Sequence, residues 1–273
     1  MQGEHLMDIR RLTVRCRNTQ KAVLKDVSLT IDEGEITCII GESGSGKTTL
    51  LNAVMQLPGR VEIEGGQILF RGKDLAKMNS RQMRAVRGSE IGVVFQEPGA
   101  SLDPIRKIHK QFYDAMHAHD RSVKRDCARQ KAAALLESME FKNPDRILDS
   151  CPVQLSGGMN QRVAIAVAMA LEPAVLLADE PTSALDVTVQ AQVTDELLCL
   201  RERYGTAILL ITHNMAVAAK LADWVAVMYN GQIVEYGSRK KVLEHPEHPY
   251  TRALLEAVPR LNGREAAGIA DNT

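Results

Sequence analysis

The chain has 273 residues, of which 45% are hydrophobic, so it can build one large or two small folding units around a core. Lys and Arg together number 34, and so do Asp and Glu. The resulting net charge of zero argues against a nucleic-acid-binding protein, which usually carries a basic excess.

Cysteine usage and hydropathy indicate the cellular compartment of the protein and its relation to the membrane. The five cysteines are scattered without CxxC spacing, which is typical of reduced thiols in a cytosolic protein. The longest apolar run, residues 163–171, is too short to cross a bilayer, and the polar N-terminus carries no apolar signal segment. We therefore expect any membrane role to act through a partner.

Residues 1–35 predict an antiparallel β layer. Apolar and polar residues alternate over 27–31, and Ile9, Leu12 and Val14 supply further apolar positions. Residues 36–40 then form a continuous apolar run, which is typical of a buried strand.

A phosphate-binding loop follows this strand and precedes a predicted helix. It matches G-x-x-x-x-G-K-[ST] and reads Gly41-Glu42-Ser43-Gly44-Ser45-Gly46-Lys47-Thr48, with Thr49 next in the chain. Glycines let successive backbone N–H groups point at an anion, and the helix dipole favours phosphate at the same place. Lys47 would lie against the β- and γ-phosphates, and the Thr48 hydroxyl is a candidate Mg²⁺ ligand.

The middle of the chain is predicted to contain turns and short strands first and helices afterwards. Turns around a short strand at 67–70 are predicted by Pro58-Gly59, Gly65-Gly66 and Arg71-Gly72-Lys73. Residues 91–95 predict a strand that ends at Gln96. From residue 97 to about 160 the chain is predicted to be largely helical, with helices at 105–118 and 122–140, and we interpret it as an inserted helical subdomain.

Ser156-Gly157-Gly158 stands just before a predicted buried helix at 163–171. The hydroxyl and free N–H groups at a helix start can form a second anion site. On the residues alone a simple helix cap is the better interpretation, although a glycine pair is more than a cap requires.

Asp179 and Glu180 end a predicted buried strand over 174–178. Acids at such a strand end lie at the ligand-binding edge of an α/β sheet. Asp179 would hold Mg²⁺, and Glu180 could orient and deprotonate a water that attacks the γ-phosphate. The alternative interpretation is that Asp179 and Glu180 are simply solvated acids at a strand end. The phosphate loop upstream favours the ligand-binding interpretation over this alternative.

The rest of the chain predicts a helix at 189–203, a buried strand at 207–212, a hairpin over 225–235 and a polar tail over 237–273. Apolar runs that alternate with helices indicate a parallel sheet covered on both faces.

The motifs, taken as an ordered set, resemble the ATPases of ABC transporters. The set comprises the phosphate loop at 41–48, Gln96, Leu155-Ser156-Gly157-Gly158-Met159, Asp179-Glu180, Ser183-Ala184-Leu185-Asp186 and His213. The resemblance implies an α/β fold with a P-loop NTPase (RecA-like) core, an antiparallel β subdomain and an inserted helical subdomain. It assigns 1–96 and 161–236 to the ATP-binding core with its β layer, 97–160 to the helical subdomain, and 237–273 to a C-terminal extension.

The resemblance also implies roles for residues that physics alone does not assign. Gln96 would contact Mg²⁺ or water, Asp186 would be the acid of the D-loop, and His213 would contact the γ-phosphate. Ser156-Gly157-Gly158 would cap the γ-phosphate of ATP bound to a second ATPase subunit. The implied cofactors are ATP and Mg²⁺, held between two subunits arranged head to tail.

Three stretches are similar to the dipeptide, oligopeptide and nickel importers. They are Phe95-Gln96-Glu97-Pro98 with 101–104, residues 156–159 with Gln161-Arg162, and His245-Pro246-Glu247-His248-Pro249-Tyr250 with 251–255. This resemblance implies a peripheral subunit at the cytoplasmic face of the membrane. Its partners would be two transmembrane permease subunits, an extracytoplasmic binding protein and a second, identical or different, ATPase.

Two departures bear on the cargo. No aromatic residue precedes Phe70, whereas these ATPases usually stack adenine on an upstream aromatic, and Cys16 or Asn18 stands near the expected place. The C-terminal extension is short and lacks cysteines. Both favour nickel or a metal chelate over peptides as the cargo.

Two alternative functions stay open on the sequence. A soluble ABC-type ATPase that acts on nucleic acid or ribosomes would carry a basic surface or two cassettes, and this chain has balanced charge and one phosphate loop. A weakly hydrolysing regulatory subunit would lack Glu180, His213 or the Ser-Gly-Gly site, and all three are present.

Overall fold

A computed structural model describes residues 5–16, 21–57, 61–97, 101–183 and 185–257. The sequence-based expectations for Asn18, Pro58-Gly59, Pro98, Ala184 and the tail from residue 258 onward lie outside these ranges. The described ranges contain ten strands, namely β1 (Met7–Cys16), β2 (Ala22–Ile31), β3 (Ile36–Ile40), β4 (Val61–Phe70), β5 (Lys73–Asp74), β6 (Ile91–Val94), β7 (Val175–Asp179), β8 (Ala207–Ile211), β9 (Trp224–Tyr229) and β10 (Gln232–Ser238).

The α-helices of the described ranges are α1 (Lys47–Met55), α2 (Ser80–Val86), α3 (Ile108–His119), α4 (Arg125–Ser138), α5 (Pro144–Asp149), α6 (Gly157–Met169), α7 (Val187–Tyr204), α8 (Met215–Leu221), α9 (Arg239–Glu244) and α10 (Pro249–Glu256). Several begin at a side-chain cap, as α7 does at Asp186 and α8 at Asn214.

Four strands form an antiparallel sheet in the order β2-β1-β4-β5, which confirms the predicted β layer. The predicted short strand at 67–70 is wrong in length, because β4 has ten residues and pairs with β1 along most of it. Gly65-Gly66 marks a bulge rather than a turn. A Cβ on Gly66 would lie 2.4 Å from the Arg11 carbonyl oxygen, so only glycine fits this close approach.

The second sheet has six strands in the order β10-β9-β3-β8-β7-β6. Every neighbouring pair from β9 to β6 is parallel, and β10 closes the edge as an antiparallel hairpin with β9. Strands β3, β7 and β8 are buried at every residue, as their continuous apolar runs predict. The predicted P-loop α/β core and its hairpin are therefore confirmed.

Two hydrophobic cores lie on opposite sides of the six-stranded sheet. One packs α1 between this sheet and the antiparallel sheet, with Ile39, Leu50 and Leu51 among its fully buried side chains. The other joins the sheet to α3–α8 and includes Ile40 and Phe112. Successive residues of β3 enter opposite cores, so the strand that leads to the phosphate loop is fixed from both faces.

Helices α3, α4 and α5 form the region that the sequence predicts to be helical after residue 97. Helix α6 runs without a break from Gly157 to Met169, so the expected boundary between residues 160 and 161 falls inside one helix. The described part of the predicted polar tail after residue 237 contains two helices, α9 and α10, for which the sequence gives no prediction. Within the described ranges, no helix is both long enough and apolar enough to cross a membrane.

Candidate functional site

The carboxyl ends of four parallel strands meet at one edge of the large sheet. The phosphate loop follows β3, Gln96 stands two residues after β6, Asp179 ends β7, and His213 stands two residues after β8. The register aligns these ends, since Asp179 pairs with Ile211 and Ala178 pairs with Val94. Residues from four separate parts of the sequence therefore converge where α/β sheets bind ligands.

Lys47 is the first residue of α1 and is only 5% exposed. Its Nζ donates hydrogen bonds to the carbonyl oxygens of Gly41 and Glu42, both at 2.7 Å. Burial lowers the pKa of Lys47, while the nearby carboxylates of Glu180, Asp179 and Glu42 favour its charged form. The loop thus surrounds the Lys47 cation. The dipole at the start of α1 favours an anion at the same place.

Strand β9 and its turn support the phosphate loop from behind. A Cβ on Gly41 would lie 2.2 Å from the Met228 carbonyl oxygen, so the first glycine of the motif allows this contact. The Gly231 N–H donates to the Ser45 carbonyl oxygen at 2.9 Å. These contacts fix the loop to the rigid sheet and hairpin.

Asp179 lies directly beside the start of α1. The Thr48 hydroxyl donates to Asp179 Oδ1 at 3.4 Å, and the Asp179 side chain is buried. Burial raises the pKa of Asp179, and the neighbouring Glu180 raises it further, although the Thr48 hydrogen bond and Lys47 oppose them. A buried carboxylate in this position is stabilised by any cation that binds next to it.

Glu180 is the centre of the polar contacts above the sheet. Its Oε2 accepts a hydrogen bond from Gln96 Nε2 at 3.4 Å and lies 3.1 Å from His213 Nδ1. Its backbone φ of +47° is unusual for a residue with a side chain, and its N–H donates to the Ile211 carbonyl oxygen at 2.8 Å. The backbone therefore holds this carboxylate where Gln96 and His213 both reach it.

These residues surround a cavity of about 790 Å³. The lining comprises nine of the residues that the sequence selects, namely Ser43, Gly44, Gly46, Lys47, Thr48, Thr49, Gln96, Glu180 and His213, together with Val23. Gly41, Glu42 and Ser45 belong to the loop but do not line the cavity, and Asp179 contacts Thr48 without lining it.

The remaining selected residues occupy a different place in the chain. Ser156 caps α6 through its hydroxyl, which accepts from the Met159 N–H at 3.3 Å. A Cβ on Gly158 would lie 2.6 Å from Val189 Cγ1, whereas a Cβ on Gly157 would meet open space. Asp186 caps α7 by accepting the Val189 N–H at 3.0 Å. None of these four residues lines the cavity at the phosphate loop.

Sequence reasoning missed two residues of this site. Val23 on β2 lines the cavity, although nothing in its local sequence distinguishes it from other apolar strand residues. Tyr250 on α10 contacts the phosphate loop, because its hydroxyl oxygen accepts the Glu42 N–H at 3.1 Å. Tyr250 belongs to the 245–255 stretch that the sequence singles out, but its distance in sequence from Glu42 hides the contact.

Comparisons with known proteins show the family of the chain. Residues 24–183 match the family model for ABC transporters, and residues 234–273 match the model for the C-terminal region of oligopeptide/dipeptide transporters. The oligopeptide transport ATP-binding protein OppD of Bacillus subtilis is 43% identical over 242 residues, which is 87% of this chain and 67% of OppD. The dipeptide transport ATP-binding protein DppD of the same organism is 40% identical, over 90% of this chain and 74% of DppD.

Solved structures show the same fold. A dimeric ATP-binding cassette in a post-hydrolysis state with ADP and Pi is 28% identical with a TM-score of 0.75, over 85% of this chain and 98% of the cassette. The cbiO1 protein of Clostridium perfringens is 26% identical with a TM-score of 0.76, over 94% of this chain and 97% of that protein. The chain therefore belongs to the ATP-binding, ATP-hydrolysing subunits of ABC transporters, in their oligopeptide/dipeptide branch.

Proposed function

We propose that ATP binds in the cavity at the phosphate loop and that Glu180 activates the water that attacks its γ-phosphate. The observation that carries this proposal is the convergence of Lys47, Glu180 and His213 on one cavity from three separate strand ends. The same arrangement of a curled loop, a buried ammonium group and a carboxylate supports hydrolysis rather than a purely regulatory role.

The phosphate loop supplies the binding energy. Lys47 Nζ now donates to two carbonyl oxygens of its own loop, and these weak acceptors can be exchanged for the charged oxygens of a phosphate. Backbone N–H groups over 43–49 and the start of α1 complete the anion site. ATP binding therefore adds charge-assisted hydrogen bonds without moving the loop from the sheet.

Glu180 acts as the general base. Its Oε2 accepts a proton from the attacking water, and Gln96 and His213 contact the same oxygen before the nucleotide arrives. The His213 side chain is 62% exposed, so it is free to turn toward the γ-phosphate, where its N–H would stabilise developing charge.

The oxygen atoms beside the loop fit Mg²⁺. Thr48 Oγ1 and Asp179 Oδ1 are hard oxygen donors 3.4 Å apart, and Gln96 supplies an amide oxygen on the neighbouring strand end. Mg²⁺ needs few protein ligands because waters and phosphate oxygens fill most of its six positions. When bound, the ion would neutralise phosphate charge, and the buried Asp179 carboxylate would gain a counter-charge.

The Ser156-Gly157-Gly158 site acts on the ATP of a second subunit. Its N–H groups stand at the exposed start of α6, away from the cavity of the same chain, and Gly157 leaves the approach open. Two chains arranged head to tail would place this helix start against the γ-phosphate, with Asp186 near the junction. Removal of the γ-phosphate then opens the pair, which a membrane partner converts to transport.

We infer that the chain energises import from the cytoplasmic face of the membrane, with two permease subunits and an extracytoplasmic binding protein. The names of the relatives and the matched C-terminal region support di- or oligopeptides as the cargo. Nickel or a metal chelate, which the sequence favours, has no comparable support from these relatives. We further propose the division into core (1–96 and 161–236), helical subdomain (97–160) and C-terminal extension, with α6 joining the first two.

The test is cargo-dependent ATP hydrolysis by the whole transporter. The chain is reconstituted with the permease subunits and binding protein encoded beside it, and turnover is measured with a peptide pool, Ni²⁺, a Ni²⁺ chelate or no cargo. Stimulation by peptides alone is expected, and the Glu180→Gln transporter controls for contaminating ATPases. Stimulation by nickel alone would replace the peptide assignment, and stimulation by neither would remove both.

A further inference from the structure

The start of α10 packs against the phosphate loop. Tyr250 Oη accepts the Glu42 N–H at 3.1 Å, and the Tyr250 ring lies 4.2 Å from the Tyr229 ring, measured between centroids. Tyr229 ends β9 and immediately precedes the turn whose Gly231 N–H holds Ser45. The two contacts to the phosphate loop are thus connected through a pair of aromatic rings.

A buried carboxylate fixes the segment that carries Tyr250. Glu235 on β10 is 8% exposed, and its two oxygens accept the N–H groups of Glu247 at 2.8 Å and His248 at 3.1 Å. His248 Nδ1 in turn accepts the Tyr250 N–H at 3.2 Å and caps α10. Carboxylate bonds to backbone N–H groups are among the strong hydrogen bonds of proteins, so the position of Tyr250 is set by the sheet.

Tyr250 and Lys47 hold the same loop residue from opposite ends. The Glu42 N–H bonds to Tyr250, and the Glu42 carbonyl oxygen accepts from Lys47 Nζ at 2.7 Å. Glu42 is therefore held by Tyr250 from outside the phosphate loop and by the Lys47 ammonium group from inside it. Burial raises the pKa of Tyr250, so the phenol keeps its proton at neutral pH.

We propose that Tyr250 is a positioning residue that holds the phosphate loop in its ATP-binding shape through the Glu42 N–H. The proposal rests on the ATP site described above. Tyr250 does not line the cavity, so in this proposal it acts through Glu42. A loop that is ordered before the nucleotide arrives loses less entropy on binding, so the phenol oxygen raises affinity rather than the rate of the chemical step. The 245–255 stretch, which hydrolysis itself does not require, thereby gains a role.

The test compares Tyr250→Phe with Tyr236→Phe. Tyr250→Phe keeps the ring against Tyr229 and removes only the acceptor. Tyr236→Phe removes another tyrosine hydroxyl, which donates to the Thr30 carbonyl oxygen at 3.2 Å and does not line the cavity. We measure the Kd for ATP of each full-length chain, and KM and kcat for ATP in the assembled transporter. Loss of one hydrogen bond predicts a Kd and KM about 3- to 10-fold higher for Tyr250→Phe, with kcat unchanged.

Glu235→Gln provides a second variant, because its amide can accept only one of the two N–H groups well. We expect a smaller rise in the Kd for ATP than with Tyr250→Phe. A Kd for Tyr250→Phe equal to that of the unmodified chain, or a rise matched by Tyr236→Phe, would overturn the positioning role. If Lys47→Ala still weakens ATP binding in that case, the proposed ATP site is retained and only the role of Tyr250 is rejected. If Lys47→Ala binds ATP normally, the proposed ATP site is rejected as well.

Discussion

His213 Nδ1 lies 3.1 Å from Glu180 Oε2, across the ends of two neighbouring parallel strands. The contact joins a histidine that is largely exposed to a carboxylate that is mostly covered. In the mechanism proposed above, this contact places a donor for phosphate charge beside the base for the attacking water.

His213→Ala is expected to lower kcat for ATP by about 100-fold, the size of effect seen when one transition-state donor is removed. The Kd for ATP should change little, because the phosphate loop remains. His5→Ala is the matched control, since His5 Nδ1 pairs with Asp32 at 2.6 Å and does not line the cavity. An unchanged kcat in His213→Ala would remove His213 from the chemical step.

Lys47→Ala is expected to raise the Kd for ATP by at least about 10-fold, because it removes a buried cation from the anion site. Equilibrium binding of a fluorescent ATP analogue to the full-length chain measures this directly. Lys220→Ala removes an exposed lysine that pairs with Asp195 at 2.5 Å, and it should bind ATP normally. Equal affinity in the two variants would contradict the phosphate-binding role of Lys47.

Gly157 and Gly158 should respond differently to alanine. Gly158→Ala places a Cβ 2.6 Å from Val189 Cγ1, so we expect a loss of about 1–3 kcal/mol in the free energy of unfolding. Gly157→Ala meets no atom within 4 Å, and its Tm should be unchanged while turnover in the assembled transporter falls. Thermal unfolding and ATPase assays of both variants separate the two effects. Full turnover in Gly157→Ala would mean that no phosphate approaches this helix start.

The phosphate loop and the strand ends beside it could be predicted from sequence because their signals are local. A buried strand, a glycine-rich loop and a helix follow one another over 36–55, and Asp179 directly ends an apolar run. The parallel order of the sheet brings Gln96 and His213 to the same edge, but only the resemblance to ABC-transporter ATPases selects these two residues from the sequence.

Contacts made by residues far apart in sequence could not be predicted. Gly65-Gly66 looked like a turn because the bulge it permits depends on the Arg11 backbone of another strand. The sequence does not predict α10, because this helix is stabilised by Glu235, a carboxylate whose burial appears only once β10 is in place. Because tertiary contacts stabilise α10, its polar local sequence alone does not predict a helix.

Glu235 also predicts a pH dependence of stability. Burial raises its pKa, but the Glu247 N–H, the Thr251 side chain and the N–H and ring of His248 together outweigh burial, so the pKa is lowered overall. Below about pH 4.3 the unfolded chain therefore binds a proton that the folded chain does not, and this stability is lost as the pH falls through the lowered folded pKa.

Urea denaturation of Glu235→Gln between pH 6 and pH 3 tests this dependence. The variant should be less stable than the unmodified chain by about 1–2 kcal/mol at pH 6, and the difference should shrink toward pH 3. Glu33→Gln, which changes an exposed carboxylate 3.7 Å from Arg71, should show no such trend. A difference that stays constant with pH would show that Glu235 has the same pKa in the folded and unfolded chain, which contradicts the lowered pKa.

The most direct test of the catalytic assignment is Glu180→Gln in the assembled transporter, with ATP binding and ATP turnover measured on the same preparation. The substitution keeps the size of the side chain and removes its ability to take a proton from water. We predict turnover below about 1% of that of the unmodified transporter, with the Kd for ATP within about twofold. Turnover that persists at the unmodified rate would contradict Glu180 as the base, and with it the central claim about this cavity.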